Sequence, residues 1–212
     1  MQQPELFHLE QQAGLQHAIE ETSEMALKVV QGLAYAVDFI SESEEADLLV
    51  AIDAGHWSNE LERKVQHYGY KYDYRSRRID ESMRVGAMPE QIQAMAERLC
   101  AKGIFRSAPD QCIVNEYLPG QGIAPHIDCE PCFAETIASL SLGSQAVMDF
   151  THSVNGDRHP VWLERRSIVV IKGSARYEWK HGIARRRKDA IGEFVVPRSR
   201  RVSLTFRNVS LV

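Results

Sequence analysis

RRVSLTFRNV, residues 200–209, is the stretch on which the fold turns. Rich in β-branched and aromatic residues, it reads as a strand. A strand sends alternate side chains to opposite faces. Arg201, Ser203, Thr205 and Arg207 therefore share one face, and Val202, Leu204 and Phe206 the other. An ordinary half-buried strand buries the apolar set and solvates the arginines. In a closed β-barrel the polar set lines a cavity instead. Two inward guanidinium groups then need anionic partners, because buried unpaired charge is costly. A dicarboxylate held by the fork of one arginine supplies one partner, and a metal-ligating carboxylate can supply the other.

Upstream, QCIVNEYLPGQGIAPHID at residues 111–128 ends in a candidate for that carboxylate. In extended backbone His126 and Asp128 project to the same side, which makes half of a metal site. The 2-His-1-carboxylate facial triad of non-haem Fe(II) oxygenases needs a second, distant histidine and keeps positions open for substrate and O2. His181, in YEWKHGI, is the candidate third ligand. An H-x-D triplet alone is common, and a solvated histidine beside a turn aspartate fits it as well. The same alternation places Asn115 and Tyr117 together just before His126, as neutral donors for the same ligand.

NEYLPGQGIAPHID, SLSLGS, EWKHGI and RRVSLTFRNV, in this order and spacing, resemble the AlkB family of Fe(II)- and 2-oxoglutarate-dependent dioxygenases over roughly residues 33–209. The resemblance implies that His126, Asp128 and His181 ligate iron. It implies that Arg201 pairs with the distal carboxylate of 2-oxoglutarate, with Asn115, Tyr117 and Ser203 in the same pocket. Arg207 then braces Asp128 and the co-substrate carboxylate. Glu130 stands where the family has an acidic substrate contact, matched in chemistry and not in identity. Within the family, the PHID and KHGI versions are similar to the branch of the tRNA wobble-uridine hydroxylases. The activity implied first is oxidative demethylation of N-alkylated bases in nucleic acid, as in DNA alkylation repair, using Fe(II), 2-oxoglutarate and O2. Hydroxylation of a modified tRNA wobble uridine, oxygenation of a protein or small molecule, and a non-catalytic cupin-like binding role are the alternatives.

The 212 residues suit one domain with its own core, and 44% hydrophobic content is ordinary for a globular chain. No run of eighteen apolar residues is present, and MQQPELFHLE lacks a basic-then-apolar signal pattern. The expectation is a soluble, cytoplasmic, monomeric protein without membrane contact. Net charge is −4, but residues 1–60 hold one basic residue, Lys28, against twelve acidic ones, while residues 61–212 hold 24 basic against 17 acidic. The part that carries the motifs is thus the basic part, as a polyanionic substrate requires. Cys100, Cys112, Cys129 and Cys132 suggest no disulfide framework in a chain of this size. The C-x-x-C of Cys129 and Cys132 lacks two further zinc ligands at typical spacing, which leaves loop packing or a redox pair.

Residues 1–32 read as a polar extension, helical around LQHAIEETSEMALKVV and ended by Gly32; residues 33–212 form the catalytic domain. Leu33–Ile40 reads as a strand, and Ser41 with Glu44 as a capping box before the helix EEADLLVAI. Residues 61–84 carry four tyrosines, seven basic residues and Gly69. Rings interleaved with cations suit a surface that stacks bases and neutralises phosphates, and the resemblance makes this segment a nucleotide-recognition lid. Tyr68 and Tyr70 are its candidate substrate contacts; a hairpin whose tyrosines pack on the barrel fits equally. Pro89–Ala101 has helical periodicity. Short strands follow at Ile137–Leu142, Ala146–Phe150, Val161–Leu163 and Ser167–Ile171, with a hairpin turn at Asn155-Gly156. Arg185–Lys188 is either a solvated loop or a phosphate clamp using Arg186 and Lys188. The architecture expected is mainly β with flanking helices, a double-stranded β-helix or jelly-roll barrel.

Overall fold

The computed structural model describes residues 3–59, 62–73 and 76–211, with side chains described from Gln12 onward. Tyr74 and Arg75 of the tyrosine-rich segment lie outside the described residues. The chain begins with helix α1 (Gln3–Val29), strand β1 (Leu33–Ala36), helix α2 (Glu42–Ala54), strands β2 (Val65–Tyr70) and β3 (Arg84–Gly86) and helix α3 (Glu90–Ala101). Strands β4 (Gln111–Tyr117), β5 (Ile123–His126), β6 (Phe133–Gly143), β7 (Ala146–His152), β8 (Arg158–Leu163) and β9 (Ile168–Ile171) follow. A short helix α4 (Gly173–Tyr177) leads to β10 (Trp179–Ile183), the hairpin of β11 (Lys188–Ile191) and β12 (Phe194–Pro197), and β13 (Arg201–Val209).

A seven-stranded sheet in the order β1-β9-β6-β13-β4-β2-β3 faces a four-stranded sheet, β5-β10-β7-β8, and all the pairings are antiparallel. This is the jelly-roll architecture the sequence led us to expect. At its centre is β13, hydrogen-bonded to β4 on one side and β6 on the other. Its alternation runs as read from the sequence. Val202, Leu204 and Phe206 bury against Leu48 and Ile52 of α2 and Ile92 and Leu99 of α3. Each such side chain contributes about 1.5–3 kcal/mol when fully buried. The helices thereby cover the apolar back of the sheet and leave its polar face to the interior. Between the sheets, Phe133, Ile137, Phe150, Trp179 and Ile183 close the inner core.

Helix α2 starts with the capping box foreseen. Glu44 N donates to Ser41 Oγ at 3.2 Å and Ser41 N donates to Glu44 Oε2 at 2.8 Å. Arg98 of α3 also donates to Glu44, tying the two helices together. That bond, with the Ser41 amide, draws the Glu44 carboxyl from 4.5 down to about 2. Ser41→Ala is expected to cost about 1 kcal/mol in urea unfolding at neutral pH. Because the folded value is the lower one, the Glu44 contribution is present above 4.5 and is lost as pH falls toward 2. Glu44→Gln should flatten the stability-against-pH curve in that window.

Four features depart from the sequence expectation. Strand β1 stops at Ala36 and does not reach Ile40. Asp38 takes φ +45° and Phe39 N bonds Arg166 O at 2.9 Å, which turns the chain so that Ile40 drops into the helix-backed core. Strand β5 ends at His126, so Asp128 lies just beyond regular strand. The basic run is no free loop but leads into the β11–β12 hairpin. There Asp189, fully buried, accepts from Arg186 Nε at 2.8 Å and Arg198 Nη2 at 2.7 Å. Cys129 and Cys132, expected as loop packing, are joined as a disulfide. The turn that bonds Cys132 N to Cys129 O sets their Cα atoms 5.3 Å apart, within the range a bridge spans.

Helix α1 lies along the outer sheet, with Leu15, Ala18 and Ile19 against Val147, Trp162, Ile191 and Phe194. Its last turns are buried further, Ala26 and Val30 joining the inner core. Gly32 ends it at φ +88°, where any Cβ would collide with the Lys172 carbonyl. Among the described residues no helix is long and apolar enough to cross a membrane.

Candidate active site

Two strand pairings build the site. In the smaller sheet β10 lies beside β5 with His181 directly opposite His126. Gly182 permits the close approach, since a Cβ there would meet Pro125 backbone at 2.9 Å. The imidazole centroids are 4.5 Å apart, and Asp128 Oδ2 is 3.9 Å from His181 Nε2. One donor atom from each of His126, Asp128 and His181 falls within a 4.8 Å cluster. His126 Nδ1 is 2.9 Å from the Ala124 carbonyl, which accepts its hydrogen bond and leaves Nε2 as the ring nitrogen that could take a metal.

In the larger sheet the register of β13 on β4 sets Arg201 opposite Tyr117, Ser203 opposite Asn115 and Arg207 opposite Gln111. Asn115, Tyr117, Arg201, Ser203 and Arg207 all line one cavity of about 860 Å³, together with His126, Asp128, His181 and Glu130. Arg207 Nη2 donates to Asp128 Oδ1 at 2.9 Å and Nη1 to Gln111 Oε1 at 3.3 Å. Arg201 Nη2 donates to Ser141 Oγ at 2.8 Å.

Burial alone would raise the Asp128 carboxyl, but Arg207 and the two histidines outweigh it and hold it well below the usual carboxylate range. Burial, reinforced by His126, lowers His181 to about 3. At neutral pH the cluster is thus one carboxylate and a neutral His181, the protonation states that metal ligation requires. Asp128 Oδ2 is buried without a hydrogen-bond partner among the described residues and lies near the imidazoles, as a ligand atom should. Burial draws Arg201 down to about 10, still a cation at neutral pH, and its buried Nε has no hydrogen-bond partner among the described residues. The donors fit Fe(II) at the triad and a carboxylate at Arg201.

The proposed substrate contacts divide. Glu130 lines the cavity. Tyr68 does not; its hydroxyl donates to Gln66 and its ring packs on the helix-backed core. Tyr70 is buried in the inner core. Arg186 is drawn back to Asp189, and Lys188 stands on β11 opposite Pro197. The cavity wall instead takes Tyr72, Arg63, Arg77, Lys180 and Arg185. Within the tyrosine-rich segment, then, Tyr68 and Tyr70 are taken up by packing, and Tyr72, buried in the inner core as well, lines the cavity 5.5 Å from the Phe133 ring.

Gln111, Ser141 and Arg176 were not singled out from sequence. Arg176, 2% exposed on α4, donates to the carbonyls of Asp128 at 2.9 Å and Cys129 at 3.3 Å, fixing the backbone of the ligand loop. GSARYEW carries no pattern that would reveal it. Gln111 and Ser141 were findable once β13 was paired, since they sit across the ladder from Arg207 and Ser203.

The family model of the 2OG-Fe(II) oxygenase superfamily matches residues 50–207. The chain belongs to that superfamily of Fe(II)- and 2-oxoglutarate-dependent oxygenases, within its AlkB family. It is 37% identical over 202 residues to tRNA (carboxymethyluridine(34)-5-O)-methyltransferase alkbh8 of Xenopus tropicalis, covering 84% of this chain and 32% of that protein. It is 36% identical to the Alkylated DNA repair protein ALKBH8 homolog of Arabidopsis thaliana, over 85% of this chain and 59% of the other. The chain thus spans about a third to three-fifths of these relatives. The solved structure of OsALKBH1 superposes with a TM-score of 0.61 at 20% identity, over 84% of this chain and 96% of the other, a likeness of fold.

Proposed function

We propose that this dioxygenase oxidises a base in a single-stranded or flipped-out stretch of nucleic acid, removing an N-methyl group from an alkylated base. The observation that carries the reading is the wall of the cavity over the triad. Tyr72 and Phe133 give that wall aromatic surface against which a planar base can lie, and Arg63, Arg77, Lys180 and Arg185 place cations around it. A base inside a duplex cannot reach buried ligands, so the substrate enters unpaired. Residues 61–84 act as the lid through Arg63, Tyr72 and Arg77.

His126, Asp128 and His181 would hold Fe(II), which would supply, with O2, the oxidation of 2-oxoglutarate to succinate and CO2 and of a substrate C–H bond to C–OH. The protein's own work is placement. Arg201 receives the distal carboxylate, Asn115 and Tyr117 hydrogen-bond the co-substrate, and Arg207 keeps Asp128 ionised and oriented. An N-hydroxymethyl base then loses formaldehyde as its C–N bond breaks and the ring nitrogen regains a proton. Arg185 is paired with Glu62 of the lid, but both are mostly exposed. Such a pair is worth about 0–1 kcal/mol and yields readily to a phosphate.

A second reading, hydroxylation of a modified tRNA wobble uridine, is favoured by the likeness to the Xenopus protein named for its action on tRNA uridine. Mass spectrometry separates the two. Methylated oligonucleotides that lose one methylene support demethylation, and tRNA that gains one oxygen supports hydroxylation. Oligonucleotide binding tests the shared premise. Arg185→Ala and Lys180→Ala should each weaken it and reduce the salt slope by about 0.7, and Arg186→Ala should not. Affinity and slope unchanged in Arg185→Ala and Lys180→Ala would move the search to a protein or small-molecule substrate.

A further inference from the structure

Arg63 joins the lid to the co-substrate pocket. It is partly buried and precedes β2, which pairs with β4 so that Val65 lies opposite Asn115. Its Nε donates to Asn115 Oδ1 at 2.8 Å. Its guanidinium lies 5.8 Å from the centre of the Tyr117 ring, and that of Arg201 lies 5.5 Å from the same ring. One lid residue thus touches both neutral residues assigned to 2-oxoglutarate.

The chemistry of that contact is directional. A guanidinium only donates, so the amide atom it faces must be oxygen, and the Asn115 NH2 is thereby turned elsewhere as a donor. Asn115 is buried and lines the cavity. A ligand carboxylate or keto oxygen accepts from that NH2 and would be repelled by the amide oxygen. Without Arg63 the amide can present either atom. The preceding residue is anchored as well: the Glu62 carbonyl accepts from Gln121 Nε2 at 3.1 Å.

We propose that Arg63 is a positioning residue for 2-oxoglutarate, acting by fixing Asn115 as a hydrogen-bond donor toward it. The segment that covers the substrate thereby also completes the co-substrate pocket. This rests on the assignment of Asn115 and Tyr117 to 2-oxoglutarate.

The test is calorimetric titration of 2-oxoglutarate into protein loaded with Mn(II), a metal that binds oxygen and nitrogen donors without turnover, with Mn(II) affinity measured separately by electron paramagnetic resonance. Arg63→Ala should weaken 2-oxoglutarate binding roughly tenfold, the effect of losing one charge-assisted hydrogen bond, and leave Mn(II) affinity unchanged. Arg63→Lys, which keeps a cationic donor, should restore most of the loss. The Arg63→Ala/Asn115→Ala double variant should bind no more weakly than Asn115→Ala alone, because Arg63 acts through that amide. Normal affinity in Arg63→Ala beside a weakened Asn115→Ala overturns the proposal and leaves the pocket assignment standing. Normal affinity in both overturns the assignment too. Additive losses, or an equal loss of Mn(II) affinity, overturn the positioning role.

Discussion

His181→Ala is expected to abolish iron-dependent decarboxylation of 2-oxoglutarate. His181 is nearly buried, faces His126 across a strand pair and approaches Asp128 at 3.9 Å. Among the described residues, His126, Asp128 and His181 are the one group of three or more potential ligands that converge on a point. Removing one leaves a carboxylate and a single imidazole, without the geometry that holds the metal open to co-substrate. A bound metal supplies several kcal/mol of the catalytic effect, so turnover should fall roughly a thousandfold or more. Metal analysis and succinate formation on the same preparation check it. Stoichiometric iron and undiminished succinate would mean that His181 is not a ligand.

Arg201→Ala should have the second largest effect, on the requirement for 2-oxoglutarate. Arg201 is 3% exposed at the floor of the cavity, with Ser141 its hydrogen-bond partner and Nε unpaired. A buried cation in that state is set to receive a carboxylate by two parallel hydrogen bonds. Truncating one partner of such a pair costs about 2–5 kcal/mol, so the 2-oxoglutarate dissociation constant should rise by roughly a hundredfold, while bound iron is retained. Arg201→Lys should recover only part, because an ammonium cannot present the fork. Titration of 2-oxoglutarate at fixed metal checks both variants, and an unchanged affinity in Arg201→Ala would remove the residue from the pocket.

What could be read in advance follows from periodicity. The two-residue repeat in β13 separated Arg201 and Arg207 from Val202, Leu204 and Phe206, and one alternation therefore predicted both the cavity face and the helix-backed core. His181 was reachable because its motif keeps chain order with His126 and Asp128. What could not be read depends on tertiary context. Nothing local marks Arg176, whose task is to hold carbonyls of a loop nearly fifty positions earlier. Arg186 belongs to a charge run that looks solvated or phosphate-seeking, yet Asp189 is buried by the hairpin and captures it. Tyr68, Tyr70 and Tyr72 alternate on one face by sequence, but Gly69 takes φ +76° and the β2–β3 register shifts between Gly69 and Tyr70. Tyr68 therefore packs on the helix-backed core, while Tyr70 and Tyr72 join the inner core, where Tyr72 reaches the cavity wall. The Cys129–Cys132 bridge came from a tight turn beside the ligand loop, a local geometry that a spacing rule for zinc or disulfide frameworks does not address.

The central claim is that oxidation of 2-oxoglutarate at this triad is coupled to a base held against the cavity wall at Tyr72. The direct measurement is formaldehyde and succinate, followed together, with Fe(II) on methylated single-stranded DNA and methylated RNA. The account predicts that formaldehyde appears one for one with succinate on at least one of the two polymers, and that both vanish in Asp128→Ala. Succinate formed at the same rate with and without oligonucleotide, with no formaldehyde and no oxygen gained by either polymer or by tRNA, would contradict it.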